Sequence, residues 1–220
     1  MRQIAFIIVS LMSLLLLNYG TGRNKKLLLF FISWQAVVGT LAILKIFEKQ
    51  PNLFPLLIIG TVALVFISLK QIDKQKLNPE MLLAIHILRI PVELILFQLY
   101  LMQKIPIIMT FKGWNLDILI GLSALVILIF RLIRKRKINI QFLKIWNFVG
   151  IAFLFIIVSL AILSSPLPVQ QFAFEQPNIA VLEFPYCFLP TCVVPIVLIS
   201  HLLLINGQIK APPPTGYRHK

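Results

Sequence analysis

Acidic residues are scarce in this chain: seven Asp and Glu among 220 residues, against 21 Lys and Arg, for a formal net charge of +14. Cysteine is scarcer still. Cys187 and Cys192 stand five residues apart in one predicted helix and point ~140° away from each other, so they do not bridge while that helix is intact. Two cysteines without a CxxC pair also offer no metal framework. Histidine occurs three times, at His86, His201 and His219. Walker loops, nucleophile elbows and HExxH sequences are absent, which removes the common signatures of nucleotide hydrolysis, acyl transfer and zinc proteolysis. The last apolar run has no lysine to hold retinal. The net positive charge does not point to nucleic acid, because the basic residues lie in short segments between apolar runs and not in one patch.

What is abundant is apolar sequence. Hydrophobic residues make up 59% of the chain, and the mean hydropathy is +0.94. Runs this long and this apolar predict an all-α membrane protein, since a helix satisfies its own backbone in lipid. Seven transmembrane helices are expected at about residues 4–19, 27–47, 53–69, 81–102, 114–130, 145–163 and 179–205. They form one bundle over residues 1–205, followed by a cytoplasmic tail at 206–220. The first run lacks an A-x-A cleavage pattern and reads as a retained span. The third, at 17 residues, is ~26 Å of helix and just long enough to cross. Pro91 is expected to kink the fourth span. The last, at 27 residues, would be ~40 Å if straight. Pro185, Pro190 and Pro195 predict instead that it is kinked or broken.

Charge sets the orientation. With the N-terminus outside and the C-terminus inside, fifteen Lys and Arg fall on the inner side, five on the outer side, and Arg89 alone remains in the membrane. The inner segments, including the acid-free stretch Arg131–Lys144, are expected to meet anionic lipid headgroups on the cytoplasmic side. Membrane lipids are the partners this pattern implies, and nucleic acid is not among them.

The chemistry concentrates in the fourth span, MLLAIHILRIPVELILFQLYLM. A charge at mid-membrane costs ~2.5–3.5 kcal/mol on insertion scales, and this run holds His86, Arg89 and Glu93. With Tyr100 they fall within a ~60° arc of one helix face, which should point into protein. Arg89 and Glu93, at i and i+4, can neutralise each other. In the last span Glu183 and His201 are 18 residues apart, so a straight helix would put both on one face. If the fourth and last spans are neighbours, His86 faces His201 and Glu93 faces Glu183, with Arg89 shared between the two acids. Asp117, in the first turn of the fifth span, suits the helix dipole.

The stretches HILRIPVELILFQLYL at 86–101, MTFKGWNLDILIGL at 109–122 and QQFAFEQPNIAVLEFP at 170–185 resemble a family of uncharacterised bacterial multi-pass integral membrane proteins. The resemblance covers about residues 80–205. It implies a bacterial cytoplasmic (inner) membrane setting and brings no catalytic residues. The residues themselves suggest a protein that binds or moves a small solute or lipid through a buried Arg/Glu site, built from Arg89, Glu93, Glu183, His86, His201, Tyr100 and Asp117. An intramembrane metal- or haem-dependent enzyme using His86 and His201 is the alternative, with Asp117 or a glutamate as a third metal ligand, and a pure scaffold is a third reading. No metal and no cofactor is predicted.

Overall fold

In the computed structural model, residues 1–134 and 139–208 are described. Lys135, Arg136 and Lys137 of the inner basic stretch, and the expected tail beyond Gln208, lie outside them. The apolar runs become helices, and among the described residues there is no strand. In chain order they are α1 (Arg2–Gly20), α2 (Lys25–Ile43), the short α3 (Ile46–Lys49), α4 (Phe54–Gln71), α5 (Pro79–Ile87), α6 (Arg89–Leu101), α7 (Asp117–Arg134), α8 (Ile140–Leu163) and α9 (Val194–Gln208). Polar residues mark their starts. Asn24 caps α2 by accepting from the Leu27 N–H, and Asn78 caps α5 by accepting from Glu80 and Met81. Proline follows Asn78 at the first helical position, where its missing N–H costs nothing.

Among the described residues six stretches are long and apolar enough to cross a membrane: Arg2–Gly20, Lys25–Ile43, Pro51–Gln71, Pro79–Leu101, Ile140–Leu163 and Leu189–Asn206. Helix α7 differs, because Asp117, Arg131 and Arg134 bracket an uncharged stretch, Ile118–Phe130, only ~20 Å long. Outward faces are apolar throughout, with Leu11 and Leu15 of α1, Ile59 and Phe66 of α4, and Phe148 and Phe155 of α8 exposed. Such faces are compatible with a membrane protein, since a protein in water rarely exposes apolar patches this large.

Two of these stretches form the centre. The most apolar 18 residues of Pro79–Leu101 are 56% buried and Leu189–Asn206 is 61% buried, against 22–39% for the same length of the other four. Helix α5 packs against α1, α7 and α9, while α6 continues along α7 and α9 carries α8 on its other side. The helical path from α5 to α6 is interrupted at Leu88. Pro91 has no N–H for the Ile87 carbonyl, and the Leu88 N–H turns back to Ile85 at 3.1 Å.

The final segment departs from one long helix. Residues 179–187 form no α-helix: a 3₁₀ turn at Ala180–Leu182 is followed by irregular chain, and a π-helical turn at Leu189–Val193 then leads into α9. The prolines supply the reason, since each removes a backbone donor. Gln35 of α2 holds the π-turn. Its side-chain amide donates to the Thr191 carbonyl at 2.9 Å, and its Oε1 lies 3.0 Å from the Thr191 hydroxyl. A polar side chain from a neighbouring helix thus serves backbone groups that a regular helix would have paired internally.

Candidate functional site

The polar side chains of α5, α6, α8 and α9 meet those of the loop before α7 in the middle of the bundle. Arg89 is the hub. Its Nη1 donates to Asp117 Oδ1 at 2.9 Å, and its Nη2 donates to His201 Nε2 at 3.1 Å. One planar guanidinium therefore ties α6 to both α7 and α9, a fork geometry that lysine lacks. Close approach of α6 and α7 is set by Gly121, where a Cβ would lie 2.9 Å from Ile90 Cγ1.

The hydrogen bonds fix the imidazole tautomers. Asn147 donates its amide to the Leu143 carbonyl at 2.7 Å, so its Oδ1 faces His201 Nδ1 at 2.8 Å and accepts from it. Nε2 of His201 is then the lone-pair nitrogen that receives Arg89. In the same way the Ser200 hydroxyl is spent on the Leu82 carbonyl at 2.7 Å, so its oxygen accepts from His86 Nε2 at 3.1 Å. The two rings stack, with centroids 4.0 Å apart and planes tilted by 34°. Trp146 stands edge-on to His86 at 5.2 Å and donates its indole N–H to Ser123 at 2.8 Å.

Glu93 has a different environment from its helical neighbour. Among the described residues no cation lies within 4.0 Å of it, so the expected i,i+4 pairing with Arg89 is not formed. Arg89 faces Asp117 instead. Glu93 Oε1 accepts from the Asn115 side-chain amide, which also donates to the Met109 carbonyl at 3.1 Å. Asn115 Oδ1 accepts from the Asp117 N–H at 3.1 Å, so this amide is fully engaged. Glu93 Oε2 is buried without a partner, as are Arg89 Nε and His86 Nδ1. A cavity of about 40 Å³ lies against Arg89 and Glu93, but not His86. Its polar wall is Arg89, Glu93, Asn115 and Asp117, and the rest is aliphatic, including Leu96, Leu154 and Val197.

Of the residues picked from the sequence, His86, Arg89, Glu93, Asp117 and His201 come together. Two do not. Tyr100 is half-buried near the far end of α6, against Phe97, with its carbonyl accepting from Gln176 at 3.1 Å. Glu183 lies in the irregular chain before α9 and binds Lys104, whose Nζ is 2.6 Å from Oε1. It shares no helix face with His201, does not face Glu93, and does not contact Arg89. The break in the last span moves it away, and a lysine counted only as an outer charge supplies its partner. The stacked histidines also leave no room for a porphyrin between them, because their faces are already in contact. Among the described residues no group of three or more His, Cys, Asp or Glu side chains gathers as a metal site. Asn115, Asn147, Ser200 and Lys104 were not anticipated. Asn147 did carry a signal, as an amide close to the start of a long apolar run.

The chain belongs to the DUF8737 family, a domain of unknown function, whose model matches residues 51–207. That match begins at the third span, which lies before the stretches that carry the sequence resemblance. No curated protein and no solved structure matches the chain.

Proposed function

We propose that the protein is a multi-pass membrane protein that binds or moves a small solute through the Arg89–Glu93–Asp117 centre. The observation that carries this reading is the cavity itself. Its wall includes Arg89 and Glu93, and each of these residues carries a buried group without a partner, the donor Nε–H and the acceptor Oε2. Buried polar groups are normally satisfied, so this pair favours an occupant able both to donate and to accept. At about 40 Å³ the space suits water or a solute of a few heavy atoms and is far too small for a lipid.

Helix α7, fifth in chain order, is added to the six as a span in this reading. Its Asp117 is turned inward to Arg89, and its Arg131 Nε meets Glu80 at 3.1 Å at the opposite end, so neither charge faces lipid at mid-depth. The N-terminus is outside and the C-terminus inside a bacterial cytoplasmic membrane, with the basic loops on anionic headgroups. Cysteine labelling tests the orientation in a background with Cys187→Ala and Cys192→Ala. Gln171→Cys should react from outside and Lys74→Cys only after permeabilisation; the reverse refutes the topology. For the function, the purified chain is reconstituted in liposomes and offered ammonium, formate and urea as cationic, anionic and neutral probes. At least one should enter faster than in empty liposomes, and Glu93→Gln or Arg89→Lys should remove the gain. Entry of all three at the empty-liposome rate overturns the reading.

A further inference from the structure

Charge bookkeeping at the centre leaves one group over. Arg89 and Asp117 form a pair at 2.9 Å. His201 meets Arg89 through a lone pair, and His86 donates to Ser200. Asn115 is neutral and has both its donors and its acceptor in use. Among the described residues Glu93 therefore stands as an acid without a counter-cation, with one oxygen unpartnered and the cavity beside it.

The groups around Glu93 can be taken element by element. On its own α5–α6 path the ionisable neighbours are His86 and Arg89. The start of α7 contributes Asn115 and Asp117, and α9 contributes His201 through Arg89. Helix α8 lines the cavity with Leu154 and Ile157. Helix α1, which packs on α6, has no ionisable side chain between Arg2 and Tyr19. In the loop after α6, Lys112 sits over the Phe97 ring at 4.7 Å, and Lys104 is engaged by Glu183. Thus, among the described residues, no further cation on these elements is aimed at Oε2.

We propose that Glu93 is the proton-exchanging group of this centre, so that the solute held there is bound and released together with a proton. This assignment rests on the solute-binding reading above and adds a proton to it. On uptake, hydronium in the cavity gives its proton to Oε2, one O–H bond forms, and water remains. On release the same bond breaks and the proton returns to water. Space for about two or three waters is sufficient for the transfer. A proton, unlike a metal cation, also fits within reach of a guanidinium, because it neutralises Glu93 without adding a second positive centre.

Infrared difference spectra of the full chain in lipid nanodiscs, stepped between acidic and alkaline buffer, test this directly. The wild type should show a protonated-carboxyl C=O band that titrates and shifts in D₂O. Asp117→Asn should keep the band. Glu93→Gln should fold, since an amide matches the uncharged carboxyl in shape, and should lose it. Glu93→Asp gives an independent check if the amide variant does not purify, because the band should persist at a moved frequency. A titrating band that survives in Glu93→Gln, vanishes in Asp117→Asn, is unmoved in Glu93→Asp, or is absent from the wild type overturns the assignment. The band requires no solute flux. Failed uptake with the band present removes the transport reading alone, and intact uptake without the band removes the proton assignment alone.

Discussion

The imidazole of His201 occupies the space that a side chain at Gly150 would fill. A Cβ built at Gly150 lies 2.5 Å from His201 Nε2, the nitrogen that receives Arg89. The glycine in α8 is thus what lets α9 bring its histidine to the centre.

Gly150→Ala should therefore destabilise the protein although alanine is the better helix former. Overpacking of this kind costs about 1–3 kcal/mol. Thermal unfolding in detergent would show it, and His201→Ala in the same chain should return part of the loss. A double variant no more stable than Gly150→Ala would mean that the clash lies elsewhere.

Arg89 makes the next prediction. Removing one partner of a buried pair leaves the other uncompensated, at about 3–5 kcal/mol. Arg89→Leu should be poorly folded, and adding Asp117→Leu should restore much of the lost stability. Arg89→Lys should fall between, since an ammonium does not reproduce the two-armed contact with Asp117 and His201. Yield and melting temperature of the three variants decide it, and failure of the double variant to recover would show that Asp117 is not the charge that Arg89 compensates.

The helices were legible because apolar runs and caps are local signals. The predicted run 4–19 lies inside α1, and 145–163 lies inside α8. Asn78 and Pro79 stand at the start of α5, where a capping side chain and a first-turn proline belong. The inward turn of the fourth span's polar residues was also legible, since His86, Arg89 and Glu93 recur at helical spacing and all three are buried. Their partners were legible only in part: His86 does meet His201, but the charged groups pair otherwise. Asp117 rather than Glu93 meets Arg89 because the loop after α6 folds back to place Asn115 against Glu93. That return depends on contacts far apart in sequence, which periodicity does not record. The fate of residues 179–188 was half legible: the prolines announced a break, but not that Gln35 and Lys104 would be the groups that receive it.

Gln35 offers a test of that break. It is buried in α2, and both ends of its amide contact Thr191. Gln35→Leu leaves the Thr191 carbonyl without this donor, a loss of about 1–3 kcal/mol. Hydrogen exchange should rise locally at residues 189–193 while α1 and α8 stay protected. Uniform loss of protection would show that Gln35 acts on the whole bundle and not on the π-turn.

Glu183 is the acid for which the structure gives the sharpest expectation. Placed on a straight last span, it would have needed Arg89 for compensation. In the fold it is held by Lys104 at a partly exposed position, with the two side chains 29% and 21% accessible. Water screens such a pair, and pairs reached by solvent contribute about 0–1 kcal/mol. Glu183→Gln alone should therefore change the melting temperature little. The decisive comparison is between Arg89→Leu with Glu93→Gln and the same chain with Glu183→Gln added. Because Lys104 already neutralises Glu183, the third substitution should bring no further recovery. The charge-reversed pair, Lys104→Glu with Glu183→Lys, should be more stable than either reversal alone. A clear gain from Glu183→Gln in the Arg89→Leu background would couple Glu183 to the central cluster and contradict the placement of the chain before α9.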